Sequence, residues 1–259
     1  MDKKQQTYLF HLFRKDGTPL FVHPFSSDEQ VMNILENYEV IGLYGYEPKV
    51  ESLTMFRNQL YRMVEQSVKN WVTEIKFIPR FLLSSLVFLV VYFFLSYIIR
   101  DPIPLLDEIA ISLGGSLLTY FLLGKRDAKS DLSMKKRVKL RAAVDKIVFI
   151  ESEFVKKMEM FLQNTETDNP EKLLEYITGP ADQFLTEQER DYARDLIHSV
   201  EKLYNKNDLQ KKVNIVTKLA KDQKEAKAQQ MLTKWSSSSN VDVPILALYT
   251  RMKRSLQKI

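Results

Sequence analysis

Two long apolar runs separated by a short break constrain the fold of this chain more than any other feature. The first run, residues 81–99, contains no charged residue, and the second, residues 103–124, contains none after Glu108. A helix needs about 20 apolar residues to cross the ~30 Å hydrocarbon core of a bilayer. Helices in a soluble core rarely run this long without a polar face. The sequence therefore predicts a transmembrane helical hairpin over residues 79–124.

The break between the runs, Arg100-Asp101-Pro102, predicts a short turn between antiparallel helices. Pro102 and Pro104 end the first helix and begin the second. The second helix carries a cluster of small residues, which let helix backbones approach closely in lipid. Either the first helix of the same chain or a second copy fits as the packing partner. The cluster consists of Ala110, Ser112, Gly114, Gly115 and Ser116.

Basic residues flank the hairpin on the side away from the turn. Lys69, Lys76 and Arg80 precede it, and more basic residues follow it. The positive-inside rule then places both termini in the cytoplasm. Near a membrane surface these side chains attract anionic lipid. We predict that contact for Lys125, Arg126, Lys129, Lys135, Lys136 and Arg137.

The first six residues are polar and lack the apolar region of a signal peptide. We therefore expect the hairpin to act as its own insertion signal. With no transit peptide visible, the expected location is a bacterial inner membrane. The net charge of +5 needs no nucleic-acid partner, because the basic excess lies beside the predicted membrane helices.

No pattern of residues indicates catalysis or metal binding. The 259 residues include no cysteine, which excludes disulfides, thiol catalysis and cysteine metal sites. The three histidines are scattered, and no HExxH, GxSxG or Asp-rich phosphate motif occurs. We therefore expect no enzymatic activity, no catalytic or metal-binding residues and no cofactor.

Residues 1–48 predict a small α+β unit with the order ββαβ. Two apolar stretches flank Asp16-Gly17, a strong hairpin signal. Ser26 or Ser27 begins a helix with a capping box, and residues 40–46 form the third strand candidate. His11 and His23 would face each other across the hairpin. We interpret them as a surface pair rather than as a metal or proton site.

The remaining segments predict helices. Residues 49–78 form a juxtamembrane helix, which either continues into the first membrane helix or lies on the surface. Residues 125–235 form a basic juxtamembrane segment and a helical cytoplasmic domain, whose first helix runs to Gln163. Residues 236–259 form a flexible linker and an amphipathic helix.

The amphipathic C-terminal helix has a single apolar stripe. Three partners suit such a stripe: a membrane surface, a groove on a partner protein, or the chain's own helical domain. Its residues are Ile245, Leu248, Tyr249, Met252 and Leu256.

The sequence as a whole predicts an integral membrane, mainly α protein. It combines a two-helix transmembrane hairpin, a small N-terminal α+β unit and a C-terminal all-α cytoplasmic domain. We expect a non-enzymatic membrane-anchored scaffold or assembly protein, with the bilayer and a protein partner or a second copy as its partners.

The alternative function is a small homo-oligomeric channel or transport component. Asp101, Asp107 and Glu108 would then form an acidic mouth that attracts cations. The layout is similar to that of the mitochondrial calcium uniporter family. The family signature, Trp-Asp-x-x-Glu-Pro, is absent, because residues 104–109 read Pro-Leu-Leu-Asp-Glu-Ile.

Overall fold

The computed structural model is mostly helical, with one small sheet near the N-terminus. It divides into two compact units: residues 1–59 with 144–259 form the first, and residues 60–143 form the second. The division differs from the predicted one, because the N-terminal sheet and the C-terminal helices share a unit. The structure describes residues 5–25, 27–98, 105–167, 169–180, 184–237 and 242–258.

The secondary structure follows the chain in this order: β1 (Gln5–Phe13), β2 (Pro19–Val22), α1 (Asp28–Asn37), β3 (Tyr38–Tyr44), α2 (Val50–Ile75), α3 (Phe77–Ile98), α4 (Leu105–Ala128), α5 (Asp131–Asp145), β4 (Val148–Glu151), α6 (Glu153–Thr165), α7 (Pro170–Thr178), a 3₁₀ turn (Glu187–Glu189), α8 (Arg190–Leu203), α9 (Lys206–Lys221), α10 (Glu225–Ser237) and α11 (Val243–Leu256).

The predicted ββαβ order is present in the N-terminal part of the sheet. β1 pairs antiparallel with β2, with Phe10 opposite Val22, and parallel with β3. Gly17 lies in the turn with a φ of 80°, a conformation that glycine adopts without strain. Ser27 caps α1 by accepting a hydrogen bond from Gln30 N. The other proposed cap, Ser26, lies outside the described residues.

The prediction of one helix through Gln163 is wrong, because a fourth strand interrupts it. α5 ends at Asp145, and β4 then pairs parallel with β3, giving the strand order β2-β1-β3-β4. β4 has only four residues, three of them apolar, which is too short for periodicity to separate a strand from a helix. Gly42 makes the pairing possible, because a Cβ there would lie 2.5 Å from the Phe149 ring.

One core holds the first unit together. Because side chains alternate along a strand, one face of the sheet carries Phe10, Leu12, Val22 and Leu43. These residues belong to the same hydrophobic cluster as the buried side chains of α6 to α11. The N-terminal and C-terminal parts therefore cannot be separated without exposing this core.

The predicted docking of the C-terminal stripe differs from what the structure shows. Ile245, Leu248, Tyr249 and Met252 are all buried in the core of the first unit, and Leu256 packs against that core. Their side chains are therefore covered by the chain itself and do not face a membrane or a partner. Packing on the chain's own helical domain, one of the three alternatives, is the arrangement observed.

α2 leads into α3 through one turn residue, Lys76. The hydrogen bonds continue across it, from Lys76 N to Val72 O and from Arg80 N to Lys76 O, each 3.0 Å long. Pro79 has no N–H to donate to the carbonyl of Ile75, which explains the interruption. The juxtamembrane helix therefore continues into the first apolar helix.

Candidate membrane hairpin and its polar seam

Among the residues that the structure describes, α3 and α4 are the two helices that are long and apolar enough to cross a membrane. The segments that meet this criterion are Phe77–Tyr97 and Leu106–Ala128. In each segment 11% of the most apolar window is buried, whereas the core helix of a soluble protein is mostly buried. Large apolar side chains cover the exposed surface, among them Phe93 (65%) and Phe121 (65%). Such a surface suits lipid better than water.

Polar side chains lie where the two apolar helices face each other. Arg80 Nε donates to Asp127 Oδ2 over 2.6 Å, and Ser116 Oγ donates to the Ser84 carbonyl over 2.8 Å. Nearer the turn, Ser96 Oγ donates to Glu108 Oε2 over 2.5 Å. We call this row the polar seam; it consists of Arg80, Ser84, Ser96, Glu108, Ser112, Ser116 and Asp127.

The paired arrangement continues beyond the apolar segments. Glu65 of α2 forms ion pairs with Arg137 and Arg141 of α5, each 2.8 Å long. Lys136 lies 4.8 Å from the centre of the Trp71 ring. Successive residues of α2 and α3 contact residues of α5 and α4 in the reverse sequence order. The two halves of the second unit therefore run antiparallel. Residues 60 and 143 therefore lie at the same end of this unit.

The small residues of α4 divide between its two faces. Ser112 and Ser116 face α3, and Ser112 is fully buried. Ala110 and Gly114 are exposed, and a Cβ at Gly114 or Gly115 would meet nothing within 4 Å. Among the described residues, no neighbouring helix packs closely against these two glycines, which differs from the prediction. The exposed Ala110–Gly114 pair leaves packing against a second copy open.

The acidic residues of the predicted mouth do not point the same way. Glu108 is 4% exposed and bonded to Ser96. Its neighbour Asp107 is exposed, since adjacent residues of a helix lie on different faces. Asp101 lies outside the described residues. Within one chain, Asp107 and Glu108 do not line a common opening.

The six predicted lipid-contacting residues form two groups. Arg137 is paired with Glu65 and donates to the Ala128 carbonyl, and Lys136 covers Trp71. These two side chains serve packing inside the second unit. The other four, Lys125, Arg126, Lys129 and Lys135, are exposed.

A buried carboxylate in the first unit escaped the sequence reasoning. Glu159 of α6 is fully buried, and its two oxygens accept hydrogen bonds from Phe13 N (2.9 Å) and Tyr46 N (3.0 Å). Burial raises the pKa of this carboxyl to about 7. Glu159 therefore joins the ends of β1 and β3 to α6. A Cβ at Gly45 would collide with it, so the glycine makes room.

His11 and His23 are buried, so interpreting them as a surface pair was wrong. His11 is fully buried between Phe13 and Phe21, with ring centroids 4.5 and 4.6 Å away. His23 lies 5.8 Å from the Phe56 ring. Burial lowers the pKa of each histidine to about 4, so both are neutral near pH 7.

The described residues include no group of three or more His, Asp or Glu side chains that could hold a metal ion. The aromatic contacts of His11 and His23 give them a packing role instead. No protein-family model, curated protein or solved structure matches this chain. Its function is therefore argued from its own geometry.

Proposed function

We propose that this chain is a membrane-anchored scaffold protein. α3 and α4 form an integral membrane hairpin, and the first unit presents binding surfaces on the cytoplasmic side of a bacterial inner membrane. The observation that carries the proposal is the polar seam. The hydrogen bonds of Arg80 to Asp127, of Ser96 to Glu108 and of Ser116 to the Ser84 carbonyl join the two helices, while apolar side chains cover the outside. A hairpin built this way is suited to anchoring.

The exposed basic side chains support the orientation. Lys125, Arg126 and Lys129 follow directly after the apolar part of α4, at the end of the hairpin remote from the turn. Basic residues beside membrane helices are retained on the cytoplasmic side. Residues 60 and 143 lie towards this same end of the second unit, so both connections to the first unit would leave on that side.

The geometry favours the scaffold over the channel. An ion-conducting mouth needs several charged groups that face one opening. Glu108 is instead bonded to Ser96, and Asp107 lies on another face. We therefore do not propose conduction.

Membrane insertion and orientation are tested with single cysteines, because the chain has none of its own. In intact spheroplasts, a membrane-impermeant maleimide should label Asp101→Cys, in the sequence break between the two apolar runs, and spare Lys129→Cys. Both variants should stay in the membrane pellet after alkaline carbonate extraction. Extraction into the supernatant would exclude an integral hairpin. Labelling of Lys129→Cys alone would show that the hairpin has the opposite orientation.

The scaffold role is tested by gentle detergent extraction, followed by mass determination and mass spectrometry of co-purifying proteins. We expect a stoichiometric foreign partner that is absent when an unrelated hairpin protein carries the same tag. A discrete homo-oligomer without any foreign partner would contradict the scaffold. Flux assays on Asp107→Asn and Glu108→Gln would then be the next measurement.

A further inference from the structure

The first unit contains a cleft between α7, α9 and α11. Its volume is about 350 Å³. Apolar side chains from each helix line it, and polar side chains surround them. The lining includes Ile177, Gln210, Val213, Asn214, Tyr249 and Lys253.

A second, shallower hollow adjoins this cleft along α9. It has a volume of about 390 Å³, and Gln210 and Asn214 line both depressions. Lys211 and Lys218 belong to the second hollow. Together the two depressions form one continuous surface on both sides of a Gln–Asn ridge.

The two ridge side chains are free to bind a ligand. Among the described residues, neither the Gln210 nor the Asn214 carboxamide has a hydrogen-bond partner. Each carboxamide offers both a donor and an acceptor, which is what a peptide backbone requires. Because the two residues are four apart on a helix, they lie about 6 Å apart along its axis. An extended peptide presents equivalent backbone groups every two residues, about 6.6 Å.

The charge of the surface selects among peptides. Of the residues that the structure describes, no Asp or Glu lines either depression. Lys211 and Lys218 form no ion pair within the described part of the chain. Lys253 is already paired with Glu201 at 3.2 Å. Arg254, the other cation of the cleft, donates to the carbonyls of Gly179 and Tyr176. Lys211 and Lys218 are therefore the cations placed to meet a ligand. An acidic segment complements this surface.

We propose that this surface binds an extended, acidic peptide segment of a partner protein. The Gln210 and Asn214 carboxamides bind its backbone, and Lys211 and Lys218 pair with its carboxylates. Apolar side chains of the segment pack on Val213, which is half-buried at the cleft. The part of α9 that lines the second hollow, residues 207 to 218, is roughly 17 Å long, which fits about five extended peptide residues. The proposal rests on the scaffold function and specifies the chemistry of its partner.

The test measures fluorescence polarisation of labelled hexapeptides with the full chain in detergent. The probes alternate Asp or Glu with Leu or Val, and a matched set carries Asn or Gln in place of each acid. We expect the acidic set to bind at least about tenfold more tightly, with an affinity that falls as salt rises.

Two double variants locate the binding site. Gln210→Ala with Asn214→Ala removes the carboxamides and keeps good helix formers. Lys211→Gln with Lys218→Gln removes the two charges. Each should weaken binding about tenfold or more. Lys221→Gln with Lys224→Gln is the matched control, because it removes the same charge outside both depressions and should change the affinity less than about twofold.

Three results would overturn the proposal. The acidic and amide peptides could bind equally, or the ridge and control variants could bind alike. Alternatively, vesicles of anionic phospholipid could displace the peptide while requiring the same two lysines, which would make the surface a lipid site. Co-purification separates this proposal from the scaffold function. If wild type and the two double variants in the surface retain a partner equally, only the peptide-site proposal is contradicted. If neither wild type nor the variants retain a partner, the scaffold function is contradicted.

Discussion

Arg80 Nε lies 2.6 Å from Asp127 Oδ2, and this ion pair joins the beginning of α3 to the end of α4. The Arg80 side chain is 6% exposed and that of Asp127 is 21% exposed. Gly124 lies beside the guanidinium, since a Cβ there would be 3.4 Å from Arg80 Nη1. The pair therefore holds the apolar helices together where the chain enters the hairpin.

Asp127→Asn should destabilise the hairpin, because it leaves a buried guanidinium without its counter-charge. We expect a loss of about 2 kcal/mol in the free energy of unfolding, below the roughly 3–5 kcal/mol of a fully buried pair, because Asp127 is partly exposed. Thermal unfolding of the detergent-solubilised protein measures it. The control is Asp131→Asn, which removes an exposed charge four residues later. Equal midpoints for the two variants would show that the ion pair contributes nothing.

Glu159→Gln should destabilise the first unit. Both oxygens of the Glu159 carboxyl accept from backbone N–H groups, and both keep lone pairs whether or not the group carries a proton. A carboxamide offers only one acceptor oxygen and turns its NH₂ towards the other donor. A buried donor without a partner costs about 1–3 kcal/mol. Chemical denaturation measures the change. Glu153→Gln, at the exposed start of α6, is the control and should stay within about 0.5 kcal/mol of wild type.

The effect of Glu159→Gln should depend on pH in a defined direction. The pKa of Glu159 rises from 4.5 to about 7 on folding, so the folded state keeps a proton that the unfolded state releases. This contribution to stability is complete below pH 4.5 and is lost as the pH rises through about 7. The stability lost in Glu159→Gln should therefore be largest near pH 4.5 and shrink towards pH 8. A difference that grows with pH would contradict the raised pKa.

His11→Phe should reduce the acid sensitivity of the first unit. The pKa of His11 falls from 6.5 to about 4 on folding, so the unfolded state binds the proton more readily. Wild-type stability should therefore fall as the pH drops from 6.5 to about 4, by up to about 1.4 kcal/mol per pH unit for this group. Phenylalanine keeps an aromatic ring between Phe13 and Phe21 and does not titrate.

Denaturation curves at several pH values between 4 and 7 test this expectation. An unchanged slope in His11→Phe would show that His11 already binds its proton in the folded state. Burial also lowers the pKa of His23 to about 4, so His23 contributes to the slope in the same direction.

The sequence predicted the elements with long or repeated patterns. The two apolar runs are long enough to predict helices, and the structure contains both helices. Asp16-Gly17 predicts a β-hairpin that the structure also contains. Both signals are local, so a single chain segment carries all the information needed.

The missed features depend on distant residues. β4 is a strand because it meets β3 about 105 residues away in sequence, with Gly42 making room for Phe149. Glu159 stands on the buried stripe of α6 with Val155 and Leu162, and that spacing was a usable signal. Its partners, Phe13 N and Tyr46 N, are backbone groups that no side-chain pattern marks. The Gln–Asn ridge likewise gains meaning only from the cleft beside it.

Leu248→Ala distinguishes a core helix from a docking helix. Leu248 is 1% exposed, so its truncation leaves a cavity in the first unit and should lower the free energy of unfolding by about 2–5 kcal/mol. Leu203→Ala is the matched control, because Leu203 is 44% exposed and its truncation should change stability by less than about 1 kcal/mol.

Chemical denaturation of both variants measures the difference. Deleting residues 242–258 should lower the free energy of unfolding of the first unit more than Leu248→Ala does. The deletion removes the whole of α11 from the core and exposes apolar side chains of α6, α7 and α8. A helix that only docks on a membrane or a partner would behave differently. Its loss would leave the unfolding transition of the first unit unchanged and would reduce only binding.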